Sequence, residues 1–135
     1  MKATIASILA ADATFAGLLP GGVHTAAEIS RQATPVAFTE DGVLRPCCLV
    51  KDGPASRDAS GIPGLARELV ELYLYQFGGA DAIEAARRRA RVLLDEQAAG
   101  DGAVGLVWQG DIRGLFDDPL RSQLIIGRYA AAVRR

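Results

Sequence analysis

Alternation of apolar and polar positions is clearest between Leu69 and Phe77, a stretch rich in leucine, valine, tyrosine and phenylalanine, which predicts a strand. Alternation sorts Val70, Leu72 and Leu74 onto one face, bounded by Glu68 and Gln76, and Leu69, Glu71, Tyr73, Tyr75 and Phe77 onto the other. Both faces are largely apolar, so the strand is expected to be covered on both sides. Gly78-Gly79 then breaks the pattern. Beyond it the period changes to that of a helix over 81–97, with Asp81 as its cap and Glu84 in the capping-box position. Ile83, Ala86, Ala90, Leu93, Leu94 and Gln97 form its apolar stripe, and Gly100 stands where it should have stopped. Glu84, Arg88, Arg91 and Asp95 form a charged stripe, in which Glu84–Arg88 and Arg91–Asp95 are spaced as ion pairs. The helix is expected to clamp onto the aliphatic face of the strand.

The rest of the chain carries weaker signals. Residues 3–11 fit a helix with Ile5, Ile8 and Leu9 on one face, and Asp12 either ends it or caps a second short turn containing Phe15, Leu18 and Leu19. Pro20-Gly21-Gly22 stops both. Val23 to Arg31 is ambiguous, a short extended piece being one option. Thr34-Pro35 reads as a cap and first position of a helical turn, and Asp41-Gly42 as a reverse turn. Val43 to Lys51 reads as a strand that is at an edge or starts properly after Pro46, which lacks a donor. Residues 52–66 are rich in Gly, Pro, Ser and Asp and predict a long flexible loop. Strands over Val104–Arg113 and Ser122–Val133 complete the chain, the latter with Leu124 and Ile126 opposite Ile125 and Tyr129. The expected fold is α+β: one domain over 1–135, with about four mainly antiparallel strands and two main helices packed on one face.

Composition narrows the chemistry. A chain of 135 residues with a 50% apolar fraction can build a core without disulfides or metals. No apolar run is long enough for a membrane span, and the signal-like start is interrupted by Asp12 with Lys2 as its only basic residue, so it reads as a helix. A net charge of −1 makes no global case for nucleic-acid binding. Adjacent Cys47 and Cys48 do not make a disulfide scaffold; in a strand they point to opposite faces, one expected to be buried and the other incidental. They and the distant His24, after a Gly-Gly turn, fall short of a metal set. Gly100, Gly102 and Gly105 do not open a helix, so they form no phosphate loop. Asp111, Asp117 and Asp118 read as a solvated turn before proline. Arg87, Arg88, Arg89 and Arg91 are the one basic cluster, interleaved with acids as on an exposed salt-bridged face, a subunit contact or a phosphate contact. Nothing here argues for an enzyme or a cofactor.

Four stretches, taken together, resemble a known family: LAADATFAGLLPGGVH; ISRQATPVAF followed by DGVLRPCCLVKDG; VELYLYQFGGADAIEAARRRARVLLDEQ; and VWQGDIRGLFDDPLRSQLIIGRY. Their order and flavour are similar to the tail-terminator and tail-completion (head–tail joining) proteins of long-tailed bacteriophages. The resemblance covers most of the chain but includes no catalytic signature. It implies a virion protein of the tail or neck, assembled in the host cytoplasm as a homo-oligomeric ring, commonly a hexamer. Such a ring would stop growth of the tail tube and contact the tube protein and the head connector or stopper. DNA would traverse its lumen without sequence-specific binding. The alternatives are a head-completion or adaptor protein of the neck and a monomeric ligand-binding α+β domain. With helices on Val70, Leu72 and Leu74, the opposite row of Leu69, Tyr73, Tyr75 and Phe77 has no obvious cover within the chain. It is the first candidate for a subunit interface, with Arg87, Arg88 and Arg91 as the second. The long loop, with Asp52, Arg57, Asp58 and Ile62, is the candidate docking segment for a partner.

Overall fold

In a computed structural model of the chain, residues 1–53, 65–95 and 103–134 are described. Helix α1 (Lys2–Ala11) buries Ile5 and Leu9, and α2 (Ala13–Leu18) buries Phe15. Asp12 serves both. Its extended backbone ends α1 with its N–H on the Leu9 carbonyl, while its carboxylate accepts the Phe15 N–H at 2.8 Å and so caps α2. A two-residue strand β1 (Val23–His24) resolves the ambiguous stretch, and a 3₁₀ turn covers Pro35–Ala37. Proline opens that turn as expected, but the Thr34 hydroxyl does not cap it; that group is bonded instead to the backbone of Ser30.

Strand β2 (Cys47–Asp52) starts directly after Pro46, one of the two options left by its missing donor. Then follow β3 (Leu65–Phe77), helix α3 (Asp81–Leu94), β4 (Ala103–Asp117) and β5 (Ser122–Arg134). Among the described residues the sheet has five strands in the order β1-β2-β3-β5-β4; all neighbours are antiparallel except β1 and β2. Strand β3 thus lies at its centre, and begins four residues earlier than its clearest alternation, inside the stretch expected to be loop. Of that loop, 54–64 lie outside the described residues, as do Gln97 and Gly100.

The main core lies between the sheet and the helices. Val70, Leu72 and Leu74 of β3 meet Ile83, Ala86, Ala90 and Leu94 of α3, and Ile5, Leu9 and Phe15 from the first two helices. Two main helices on one face of a mainly antiparallel sheet is the α+β arrangement expected from the pattern. The turn at Gly21 closes the start of this layer against β2. Its N–H donates to the Pro46 carbonyl at 2.8 Å, and a Cβ there would stand 2.8 Å from the same oxygen, so only glycine admits the approach.

Helix α3 starts differently from the capping box. Its N-cap is Ala80, and Asp81 is already helical. The cap comes from β3: Gln76 Oε1 accepts the N–H groups of Ala82 and Ile83 at 2.9 and 3.2 Å, while its Nε2 donates to Asp81 at 2.7 Å. The tight Gly78-Gly79 turn brings a strand side chain within reach of the helix start, which a local motif does not foresee.

Candidate functional site: the second face of the sheet

The opposite face of the sheet is covered in part from within the chain. Ile29, Ala37 and Leu44 pack on Cys47, Leu49 and Tyr75, with Phe38, Tyr73, Leu120 and Leu124 around them. A bridge between Phe38 and Leu44 and the Arg45 N–H on the Ala37 carbonyl (2.7 Å) hold this cover in place. The expectation that the row had no cover in the chain is therefore corrected. Isolated apolar residues between turns supply the cover.

The row divides accordingly. Tyr75 is only 6% exposed, and burial pushes its phenol well above the usual range, with the negative charge of Asp117 adding to it. Tyr73 is half-buried, its ring stacked on that of Tyr75 with centroids 6.5 Å apart and the Lys51 ammonium 4.8 Å from its own centroid. Leu69 is half-buried, and Phe77 is 48% exposed at the end of the strand.

Beyond the cover, the sheet register assembles an apolar strip that no single segment reveals. Tyr73 pairs with Ile126, which pairs with Ile112; Leu69 pairs with Ala130, which pairs with Val107. Val107 is 56% exposed and Ile112 37%. Between these two rows lies an ion pair, Arg128 Nε to Glu71 at 2.9 Å. Alternation sets Ile126 on the same side of its strand as Leu124 but does not say which face of the sheet that is; the register of β5 on β3, and of β4 on β5, brings Ile126, Ile112 and Val107 to this face.

The arginine cluster is mostly engaged within the fold. Arg87 spans Glu84 (3.2 Å) and Asp111 (3.0 Å), and Arg89 holds Asp12 through two hydrogen bonds of 2.9 and 2.7 Å. Arg91 lies 3.8 Å from the centroid of Trp108, whose indole N–H donates to Asp111 at 3.0 Å. The expected Glu84–Arg88 and Arg91–Asp95 pairs give way to Glu84 with Arg87 and Arg113, and Asp95 with the Trp108 backbone N–H. Strand β4 runs beside this helix face and offers partners in better geometry than neighbours on the helix. Arg88 stays exposed. The hydrogen bond from Arg89 and the one from the Phe15 N–H hold the Asp12 carboxyl down at about 2. Burial works against ionisation of Glu84, but hydrogen bonds from Arg113 and Arg87 outweigh it and lower its pKa.

The remaining candidates are also placed. Cys47 and Cys48 are free, point to opposite faces as expected, and are both buried, which corrects the idea that one is incidental. Burial pushes the Cys47 thiol up to about 12 and that of Cys48 higher still, so both stay protonated at neutral pH. His24 Nε2 lies 2.6 Å from the Gly21 carbonyl, to which it donates. Asp117 accepts the Leu120 N–H at 2.9 Å in the β4–β5 turn, apart from Asp111. Asp52 ends β2 opposite Val70, whereas Arg57, Asp58 and Ile62 lie outside the described residues.

No protein-family model and no curated protein matches the chain. Among solved structures, a chain in the virion of a native gene transfer agent (GTA) particle is similar, with a TM-score of 0.70 and 22% identity; the likeness covers 100% of this chain and 95% of that one. At that identity it is the fold that is shared.

Proposed function

We propose that this protein is a structural subunit of a phage-like particle. In this reading it forms a homo-oligomeric ring at the head-proximal end of the tail, ends growth of the tail tube, and joins the tail to the head connector. The ring would be a hexamer, with DNA passing through its lumen without sequence-specific contact. The observation that carries the reading is the end-to-end fold likeness to a chain of a gene transfer agent virion. The family resemblance in the four sequence stretches agrees with it. The free apolar strip formed by Tyr73, Ile126, Ile112, Leu69 and Val107 supplies a surface for subunits to meet on. Function then resides in surfaces, and the chain is not an enzyme.

Purified protein examined by sedimentation velocity and negative-stain electron microscopy should give closed rings with a central hole. A strictly monomeric protein at all concentrations, alone and with tail tubes added, would overturn the reading. Recovery on filled heads that lack tails, instead of on tails that lack heads, would move the assignment to an adaptor of the neck.

A further inference from the structure

At one end of the sheet the 39–42 turn, the end of β3 and the β4–β5 turn enclose an open groove of about 350 Å³. Its walls include Phe38, Val43, Leu44, Phe77 and Leu120. Val43 and Phe77 remain 39% and 48% exposed, so two large apolar side chains are left facing water at the rim. Among the described residues, Arg121 is the one charged residue that lines the groove. It has φ 51, the only non-glycine positive φ among the described residues, and closes the turn with its N–H on the Asp118 carbonyl at 3.2 Å. Glycine would serve that turn with less strain. A long cation stands there instead, and its guanidinium has no partner among the described residues.

We propose that this groove receives a large apolar side chain from a partner protein, with a carboxylate of the partner beside it on Arg121. The lining supplies the apolar contact, and the unpaired guanidinium supplies the charge complement, with a fork geometry that suits a carboxylate. Nearby Asp118 is not among the lining residues, so the cation is what an entering group meets. This inference does not rest on the ring reading: the groove lies at the end of the sheet, beside the cover that Phe38, Leu44 and Leu120 make on the second face, and none of Leu69, Tyr73, Val107, Ile112 or Ile126 lines it.

The test is a titration of methyl-labelled protein, which reports on a monomer or a ring, with N-acetyl-L-leucine and, separately, N-acetyl-L-leucinamide. The acid should shift the methyl signals of Val43, Leu44 and Leu120 and saturate in the millimolar range. The amide should bind roughly fivefold more weakly, as expected for loss of one exposed charge-assisted contact. Arg121→Gln should bind acid and amide alike, and Phe77→Ser should weaken both, while unchanged methyl dispersion reports that each variant is folded. The proposal is overturned by the absence of saturable shifts, by shifts elsewhere, or by equal affinity of the parent protein for acid and amide. It is also overturned if dilution without ligand moves the same signals, because the groove would then hold a second copy of this chain.

Discussion

Single side chains tie the secondary structure together, and Gln76 shows how. It is 9% exposed, on the central strand, and its amide satisfies two N–H groups at the start of α3 as well as the Asp81 carboxylate. Gln76→Ala should lower stability by about 1–2 kcal/mol in urea denaturation, the range for a lost cap with buried donors left unpaired. Tyr75 makes a second case. On a row without cover, Tyr75→Arg would disturb assembly alone, whereas Leu72→Arg on the helix-covered face would unfold the monomer. Tyr75 is 6% exposed beneath Ala37 and Leu44, and Leu72 1% exposed beneath the helices. Both arginines should therefore cost about 4 kcal/mol or more through a buried unpaired charge. Circular dichroism showing a folded Tyr75→Arg monomer of parental stability would contradict that burial. Alternation did separate the two faces of β3 correctly. It could not show what covers the second face, because Ile29, Ala37 and Leu44 follow no period and are brought together only by turns.

Elements are joined in the same way, through charges distant in sequence. Asp12 ends α1 through its backbone N–H, and its carboxylate caps α2 and holds Arg89 of α3, so one residue links three helices. Its folded pKa is depressed to about 2 from an ordinary 3.8, and Asp81 and Glu84 are lowered as well. A depressed carboxylate contributes stability that is present above its unfolded pKa and is lost as pH falls through the folded one. Melting temperature should therefore fall between about pH 4 and pH 2, and Asp12→Asn should flatten that part of the profile. An unchanged profile in this variant would mean that the Arg89 contact does not persist in solution. Helix α3 was legible because fourteen residues carry one strong amphipathic period. The destinations of its arginines were not, since they depend on where β4 passes. Among the described residues that strand is the long edge of the sheet, and register shifts at three places, with Gly105, Gly110 and Gly114 at positive φ, interrupt it. Such irregularities discourage strand addition from another chain, so a contact between copies is better sought on a face than at this edge.

For the whole molecule the question is which face meets a neighbour. The helix layer is closed over the main core, and the segment 29–44 covers one part of the second face. Away from the groove at the end of the sheet, the described residues leave an apolar strip across β3, β5 and β4, with Ile112 and Val107 at its outer margin. Ile112 is 37% exposed, so Ile112→Arg should leave the monomer within about 0.5 kcal/mol of its parent, as for surface changes away from special features. In a ring packed through the strip the same arginine would be buried without a partner, and sedimentation should show ring formation lost or weakened at least tenfold. Val92 provides the comparison. It is 69% exposed on α3, one turn from the exposed Arg88, and Val92→Arg probes the helix face that was the second candidate. Loss of rings in Ile112→Arg with normal assembly in Val92→Arg would locate the contact on the sheet. The reverse result would move it to the helix face around Arg88, where the charge of Arg88 would then have to be met by an acid on the neighbour.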